Sequence, residues 1–385
     1  MISQRVSPFD LIARVLSERL RGRAASDELR AMASSPSIDW ERVVGLASDQ
    51  YVLPAFAAAL RDLDLIGSLD HGLGAFLEAV HAANLERNSE LRDELATAVG
   101  ALNRAGIEPV LLKGAIRLCD GRYPDDGWRM LRDLDLLVRE SEWADALRAL
   151  ARAGYDLAHP ADKGVPLRRR GAIVQIDLHR ELFSTPRRER LLRGVEVLDA
   201  ARPAVLGEAV VRLPSMMHQA VHLIGHCQIQ DYGLAQGRIT FRDLLEAAAL
   251  TQWGSERVDW QAVSARFAAA GYRRPLLTFL LSLNDSLGCS APVPCRVDLL
   301  AALQRRRIAL QARSTSFAYL SSRAGWWYSE LRSQIEERDA GRPRAIKNLE
   351  RLIFERGAIL TMVRSFIDRQ RRMLYVIAQL GWLVT

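Results

Sequence analysis

The stretches Leu111-Leu112-Lys113-Gly114 and Asp133-Leu134-Asp135-Leu136-Leu137-Val138 decide how this chain is expected to fold. The apolar residues that lead into Lys113, from residue 107 onward, predict a β-strand. The second stretch predicts another strand, because apolar residues alternate with its two aspartates. Side chains at positions i and i+2 of a strand point to the same face. We therefore expect Asp133 and Asp135 to project together, where their mutual repulsion favours a cation between them.

A third carboxylate follows on another predicted strand, Ile173-Val174-Gln175-Ile176-Asp177-Leu178-His179. If this strand pairs beside the first one, Asp133, Asp135 and Asp177 converge on one site. Three carboxylates are a minimum scaffold for two-metal phosphoryl chemistry, in which the ions bind both the attacking and the leaving oxygen. Mg²⁺ is a hard cation that prefers such oxygen ligands. An Asp-x-Asp pair alone is common on solvated strand edges, and it is the combination that favours a metal site.

The Lys113-Gly114 pair falls at a predicted strand-to-helix turn, where backbone N–H groups favour phosphate. Gly114 lets the backbone approach a ligand closely, and Lys113 can neutralise an outer phosphate as a point charge. Arg129 lies four residues before Asp133 in the sequence. It is a candidate for the same phosphates or for orienting the carboxylates. The alternative interpretation of Lys113-Gly114 is an ordinary surface turn.

The order of a strand, Lys-Gly, a helix, an Asp-x-Asp strand and a lone strand aspartate resembles the DNA polymerase β-type nucleotidyltransferase superfamily. More narrowly, Leu-Lys-Gly, Arg129, Asp-Leu-Asp-Leu-Leu-Val and Ile-Asp-Leu-His resemble the bacterial uncharacterised nucleotidyltransferase family, from about Asp39 to about Ala249. The resemblance implies an enzyme dependent on Mg²⁺ or Mn²⁺ that moves a nucleoside monophosphate from an NTP, expected to be ATP, with release of pyrophosphate. It implies catalysis and metal binding by Asp133, Asp135 and Asp177, and nucleotide binding by Lys113, Gly114 and Arg129.

Two departures from the superfamily pattern concern the loops. The usual Gly-Ser or Gly-Gly phosphate contact is Lys113-Gly114 here, which is typical of the narrower family, and Arg132 stands where a small residue is commoner. The family's association with natural-product and polysaccharide biosynthesis favours a peptide, sugar or other small-molecule acceptor over RNA. The rival functions are a catalytically silent nucleotide-binding regulator, a kinase-like phosphotransferase and an arginine-rich RNA-binding protein.

Composition sets the remaining bounds. The 385 residues carry 53 Lys and Arg against 46 Asp and Glu, a net charge of +7. Nearly all of these basic residues are arginine, which reflects genomic composition more than a nucleic-acid partner. No stretch has the pattern of a signal peptide or a transmembrane helix, so we expect a cytoplasmic protein. Reduced thiols are expected at four cysteines that lack metal-site spacing, Cys119, Cys227, Cys289 and Cys295.

The order of predicted elements indicates an α+β fold that is predominantly helical. A minimal nucleotidyltransferase mixed sheet is expected between N- and C-terminal helical regions. The expected division is an N-terminal helical region at 1–105, the nucleotidyltransferase core at 106–213, a helical domain completing the cleft at 214–291, and a C-terminal helical extension at 292–385. The join before the extension is placed at Pro292-Val293-Pro294.

Histidines form a further pattern beyond the predicted core. His218, His222 and His226 recur at helical spacing, which makes a zinc enzyme the rival chemistry. Three side chains along one helix reach a single ion with difficulty, so a packed helix face that lines the cleft is favoured. His179 shares the strand face of Asp177 and is expected to hold that carboxylate or to bridge to the acceptor.

Two weaker patterns remain. Arg168-Arg169-Arg170, before the third strand, predicts a turn or a solvated edge. The apolar tail from Met373 to Val384 follows a basic run. It is compatible with a terminal helix docked on the core, a contact in a homo-oligomer, or a helix at a membrane surface.

Overall fold

A mixed sheet of seven strands forms from the middle of the chain, with the order β3-β4-β5-β2-β1-β7-β6. The computed structural model describes residues 6–157, 164–291, 298–314, 317–323 and 325–326. The strands are β1 (Val110–Leu112), β2 (Asp133–Leu137), β3 (Tyr155–Leu157), β4 (Gly164–Arg169), β5 (Gln175–His179), β6 (Arg202–Leu206) and β7 (Ala209–Leu213).

Helices precede, interrupt and follow the sheet. They are α1 (Pro8–Leu20), α2 (Asp27–Ala33), α3 (Trp40–Asp49), α4 (Leu53–Asp62), α5 (His71–Arg104), α6 (Arg117–Asp120), α7 (Trp143–Arg152), α8 (Pro186–Glu189), α9 (Gly194–Ala200), α10 (Met216–Gly225), α11 (Gly233–Gln236), α12 (Phe241–Gln252), α13 (Trp260–Ala269), α14 (Arg273–Leu287) and α15 (Leu299–Arg313). Side-chain N-caps fix where several begin: Asp70 caps α5, Ser215 caps α10 and Thr240 caps α12.

The two faces of the sheet differ in chemistry. Leu134 and Leu136 of β2 belong to an apolar cluster with the C-terminal half of α5, with α7 and with the neighbouring strands. The alternate positions, Asp133 and Asp135, lie on the opposite face because the side-chain period of a strand is two. That opposite face is apolar only in part, so it is the face on which polar chemistry is available.

A second apolar cluster joins the two ends of the described chain. It contains residues of α1 to α4 together with residues of α10, α12, α13 and α14. Phe56 of α4, Phe241 of α12 and Phe279 of α14 are among its largest fully buried side chains. The helices before and after the sheet therefore share one core, which fixes α10 and α12 relative to the strands.

The expectation of a predominantly helical α+β fold with a mixed sheet is confirmed. Three strands were not predicted, namely β3, β4 and β6. The turn or solvated edge expected at Arg168-Arg169-Arg170 is wrong for its first two residues. They belong to β4 and pair with β3, where Arg168 is exposed and Arg169 forms an ion pair with Glu94 of α5 at 2.5 Å.

Several sequence expectations concern chain outside the described residues: the join at Pro292-Val293-Pro294, Cys295 and the apolar tail from Met373 to Val384. Among the cysteines that the structure describes, Cys227 and Cys289 are buried free thiols and Cys119 is half-buried. Burial raises the pKa of the Cys289 thiol to about 12. In the described part of the chain, no helix is both long and apolar enough to cross a bilayer.

Candidate active site

The carboxylates meet because β2 and β5 run parallel in a fixed register. Asp135 lies directly opposite Asp177, Asp133 lies opposite Gln175, and Leu137 lies opposite His179. Neighbouring strands are about 4.8 Å apart, so residues paired in this way place their side chains side by side. The predicted pairing of the two aspartate strands therefore exists, and the acids share one face.

Asp135 is the buried centre of the group and has no exposed surface. Its Oδ1 accepts a hydrogen bond from Lys113 Nζ at 2.6 Å and lies 2.8 Å from His179 Nε2. Its Oδ2 is buried without a hydrogen-bond partner among the described residues. A buried carboxylate oxygen with no partner is energetically unfavourable, and here it marks a position that a ligand would satisfy. His179 thus holds Asp135, and the expectation that it holds Asp177 is wrong.

The charges in this group shift one another's pKa values in opposite directions. Burial acts to raise the pKa of Asp135, but Lys113 and His179 hold it well below its ordinary value. Burial acts to lower the pKa of Lys113, but Asp135 and Asp133 raise it above its ordinary value. Burial, then the charges of Asp135 and Asp133, raise the pKa of Asp177. Lys113 is therefore a cation at neutral pH, and the ionised form of Asp177 is disfavoured by burial and by its acidic neighbours.

The donor atoms present fit a divalent cation. Ligand atoms of Asp135, Asp177 and His179 lie within 4.8 Å of one another. Carboxylate oxygens are what Mg²⁺ prefers, and Mn²⁺ also accepts imidazole. Asp133 is not part of this compact set, although it shares the strand face and lines the adjoining cleft. We call Lys113, Asp133, Asp135, Asp177 and His179 the carboxylate cluster.

The Lys113-Gly114 turn has the form expected of a strained, functional loop. Lys113 has φ = 48°, in the left-handed region that side chains other than glycine rarely adopt. The turn begins a 3₁₀ segment, Lys113–Ile116, directly after β1. A Cβ on Gly114 would lie 2.3 Å from Leu131 Cδ2. A side chain at this position would therefore have to displace that of Leu131, which is buried. The backbone of the turn borders the cleft.

A cleft with several cations opens beside the cluster. Lys113, Arg129, Arg132 and Arg242 line it together with Asp133. Tyr51, from the turn before α4, packs between two of these arginines: the guanidinium carbons of Arg132 and Arg242 lie 4.9 and 5.2 Å from its ring centroid. Arg132 also donates a hydrogen bond to the Tyr51 hydroxyl at 3.1 Å. The cleft therefore offers fixed positive charge next to the acids.

A second group of buried charges, the Glu246 cluster, closes the cleft from α12. Glu246 Oε1 accepts from Arg117 Nε at 2.6 Å, and its Oε2 accepts from Arg129 Nε at 3.0 Å and from the Tyr123 hydroxyl at 3.1 Å. Arg117 also pairs with Asp120. The remaining member is Gln219, whose Oε1 accepts from Arg117 Nη2 at 2.7 Å.

The histidines line the cleft but do not converge. His218 and His222 are buried on α10, and His226 begins the π-helical turn that follows it. Burial, then the charge of His226, lowers the pKa of His222 well below its ordinary value. Within the part of the chain that the structure describes, these three do not form a group able to hold one ion. The zinc alternative has no support here.

Several contributors to the site were missed from the sequence, among them Tyr51, Arg117, Arg242 and Glu246. The only available signal was the spacing of Arg242, Asp243 and Glu246 along one face of an otherwise apolar helix, α12. Charged residues among such apolar neighbours are rarely buried without a partner, so this pattern indicates counter-charges elsewhere in the chain.

A known protein family matches the part of the chain that contains this site. Residues 36–288 match the sequence model of a family described as uncharacterised nucleotidyltransferase. The matched residues include both aspartate strands, the Lys-Gly turn, α10 and α12. No curated protein and no solved structure matches the chain.

Proposed function

The chain belongs to the uncharacterised nucleotidyltransferase family, and we propose that it moves a nucleoside monophosphate from an NTP to an acceptor hydroxyl or phosphate. The bond that forms joins the acceptor oxygen to the α-phosphorus. The bond that breaks joins the α-phosphorus to the oxygen bridging to the β-phosphate, and pyrophosphate leaves. ATP is the first nucleotide to test.

The observation that carries this proposal is the register of β2 against β5. It sets Asp135 beside Asp177, with Lys113 at hydrogen-bond distance from Asp135 and the cationic cleft adjoining. This arrangement supports the proposal, because it separates two tasks: in the proposed reaction the acids act at the reacting phosphate and the cationic side chains act at the phosphates that leave.

The protein's own side chains have distinct roles in the proposed reaction. Lys113 and Arg129 bind the outer phosphates and stabilise the charge that develops on pyrophosphate. Asp177 accepts the proton of the acceptor hydroxyl. Asp133, Asp135 and Asp177 would hold Mg²⁺ or Mn²⁺, which when bound polarises the phosphoryl oxygens and lowers the pKa of the attacking group. His179 keeps Asp135 in place.

Transfer of label decides between nucleotidyl and phosphoryl transfer. The purified protein is incubated with Mg²⁺, an extract of the source cells, and ATP labelled with ³²P at either the α or the γ position. Label from the α position should enter an acceptor, and γ-label should be released as pyrophosphate. The other three NTPs are tested in the same way.

The Asp135→Asn protein is the matched control, and it should transfer no label. Entry of γ-label alone into an acceptor would replace this proposal with a kinase. A protein that transfers neither label in extract and binds no NTP would overturn it altogether.

A further inference from the structure

We propose that Glu246 is a positioning residue for the NTP: it orients Arg129 so that the Nη2 of the guanidinium faces the outer phosphates at the Lys113-Gly114 turn. This inference rests on the proposed function. It assigns a role to a residue on α12, outside the strands and turns that carry the aspartates.

Arg129 is held in a geometry that leaves one nitrogen available. Its Nε donates to Glu246 Oε2 at 3.0 Å, and its Nη1 donates to the Met130 carbonyl at 2.7 Å. Its Nη2 has no hydrogen-bond partner among the described residues. This nitrogen lies 3.5 Å from the position that a Cβ would take on Gly114. The Nη2 of Arg129 therefore lies beside the turn where phosphate is expected.

The backbone of Arg129 is fixed as well as its side chain. Its carbonyl accepts hydrogen bonds from the side-chain amides of Asn84 at 3.3 Å and Asn88 at 2.7 Å, both on α5. Backbone anchoring alone leaves the torsions of the side chain free to rotate. Glu246 removes that freedom by binding the Nε, the donor nearest the aliphatic part of the side chain. An oriented guanidinium recognises phosphate with defined geometry, which a freely rotating one does not.

A carboxylate is required at position 246 because both of its oxygens are used. Oε1 binds Arg117, which follows the Lys113-Gly114 turn on α6, while Oε2 binds Arg129. An amide has one acceptor oxygen and one NH₂ group, so glutamine would turn a donor toward one of the two arginines. Glu246 is almost fully buried. Water therefore does not replace the lost contact.

The test measures selectivity for outer phosphates, which a purely structural role would not change. Binding of an NTP and of the corresponding NMP is measured by calorimetry at fixed Mg²⁺, using whichever of the four NTPs binds the wild-type protein most tightly. Glu246→Gln should reduce the ratio of the NTP to the NMP association constant about tenfold, the loss expected for one charge-assisted hydrogen bond. Arg129→Ala should reduce it by a similar factor.

Asp120→Asn is the matched control. It also replaces a buried carboxylate of the Glu246 cluster by an amide, but Asp120 contacts Arg117 and does not contact Arg129. Its binding ratio should stay within twofold of the wild-type value. In the double variant Glu246→Gln/Arg129→Ala, the ratio should fall no further than in Arg129→Ala alone, because Glu246 acts through Arg129.

An unchanged ratio in Glu246→Gln, or an additive loss in the double variant, would overturn the inference and leave the proposed function standing. Failure of the wild-type protein to bind any NTP would remove both. If Glu246→Gln does not fold, Arg129→Lys carries the test. Lysine keeps the charge but has a single donor group, so it cannot bind Glu246 through one nitrogen and phosphate through another. A wild-type ratio in Arg129→Lys would then contradict the role of Glu246.

Discussion

The carboxylate cluster and the Glu246 cluster both bury charge beside one cleft, yet their balance of charge differs. In the Glu246 cluster, Glu246 is hydrogen-bonded through both oxygens to arginine. In the carboxylate cluster, three acids share Lys113, and Asp135 Oδ2 has no partner among the described residues. A buried network with satisfied partners holds a structure together, whereas surplus buried charge persists where a ligand completes it.

The pKa directions express the same contrast. Burial acts to raise the pKa of Glu246, but Arg117 and Arg129 hold it below its ordinary value. The pKa of Asp177 is raised, by burial and by its acidic neighbours Asp135 and Asp133. The ionised form is thus stabilised by the fold at Glu246 and penalised at Asp177. Substitutions that remove one charge should accordingly have opposite effects on stability.

The largest expected effect is on turnover. Asp135→Asn removes a charge from the proposed ligand set and should reduce label transfer on the order of a thousandfold, because stabilisation by the bound cation is worth several kcal/mol. Asp133→Asn should behave alike. Asp145→Asn is the control, since Asp145 is an exposed residue of α7 paired with Arg148. Unchanged turnover in the Asp135 variant at saturating Mg²⁺ would remove the carboxylate cluster from the chemistry.

The next effect is on folding. Glu246→Gln leaves a single acceptor oxygen at position 246 where Arg117 and Arg129 each had a carboxylate oxygen, and it should lower the free energy of unfolding by about 3 kcal/mol. Urea denaturation measures this. Glu28→Gln on α2 removes a carboxylate that is 76% exposed and pairs with Arg14, and it should change stability by less than about 0.5 kcal/mol. Equal losses in the free energy of unfolding for the two variants would show that the Glu246 cluster does not stabilise the fold.

A smaller effect is expected on nucleotide selectivity at the turn. Lys113→Ala should weaken NTP binding about tenfold and NMP binding much less, because its proposed partner is an outer phosphate. Arg152→Ala, which removes an exposed charge from α7, should alter neither. Equal losses for NTP and NMP would place Lys113 away from the outer phosphates.

The smallest effect has the opposite sign. Because the pKa of Asp177 is raised in the folded protein, its ionised form destabilises the fold at neutral pH, and Asp177→Asn should raise the melting temperature when no divalent cation is present. The penalty begins as pH rises above the ordinary aspartate pKa near 3.8, so the difference should vanish below that pH.

Addition of Mg²⁺ should stabilise the wild-type protein more than the variant, so that the wild-type protein then has the higher melting temperature. A variant that melts below the wild-type protein at neutral pH without Mg²⁺ would show that the hydrogen bond from Gln175 Nε2 to Asp177 Oδ1, 2.8 Å long, outweighs the repulsion between the acids.

The placement of the aspartates could be predicted because it follows from local chemistry. The period of a strand puts Asp133 and Asp135 on one face, whatever that strand pairs with. The period of β2 does not predict that this strand pairs with the strand of Asp177. That pairing was indicated by the order of the motifs along the chain. The apolar runs around the acids mark buried strands, so β2 and β5 were located within two residues of their bounds.

The Glu246 cluster could not be predicted because its partners are distant in sequence. Arg117 and Glu246 are 129 residues apart, and Arg129 and Glu246 are 117 apart. A contact of that separation leaves no local pattern in the chain. Strands β3 and β4 were missed for another reason. They carry Asp156, Arg168 and Arg169, and their alternation of apolar and polar residues is too short to distinguish from a turn.

The separation of Glu246 from its arginines also sets an order of events during translation. At roughly 5–20 residues per second, Arg117 is synthesised on the order of ten seconds before Glu246. Just before residue 246 is added, all three aspartates and both arginines have been synthesised, but the carboxylate that pairs with the arginines has not. A nascent chain therefore passes through a stage that has every aspartate of the carboxylate cluster and an unformed cleft. Messages truncated before codon 246 should accordingly yield chains that carry all three of these aspartates and are cleared as unfolded protein.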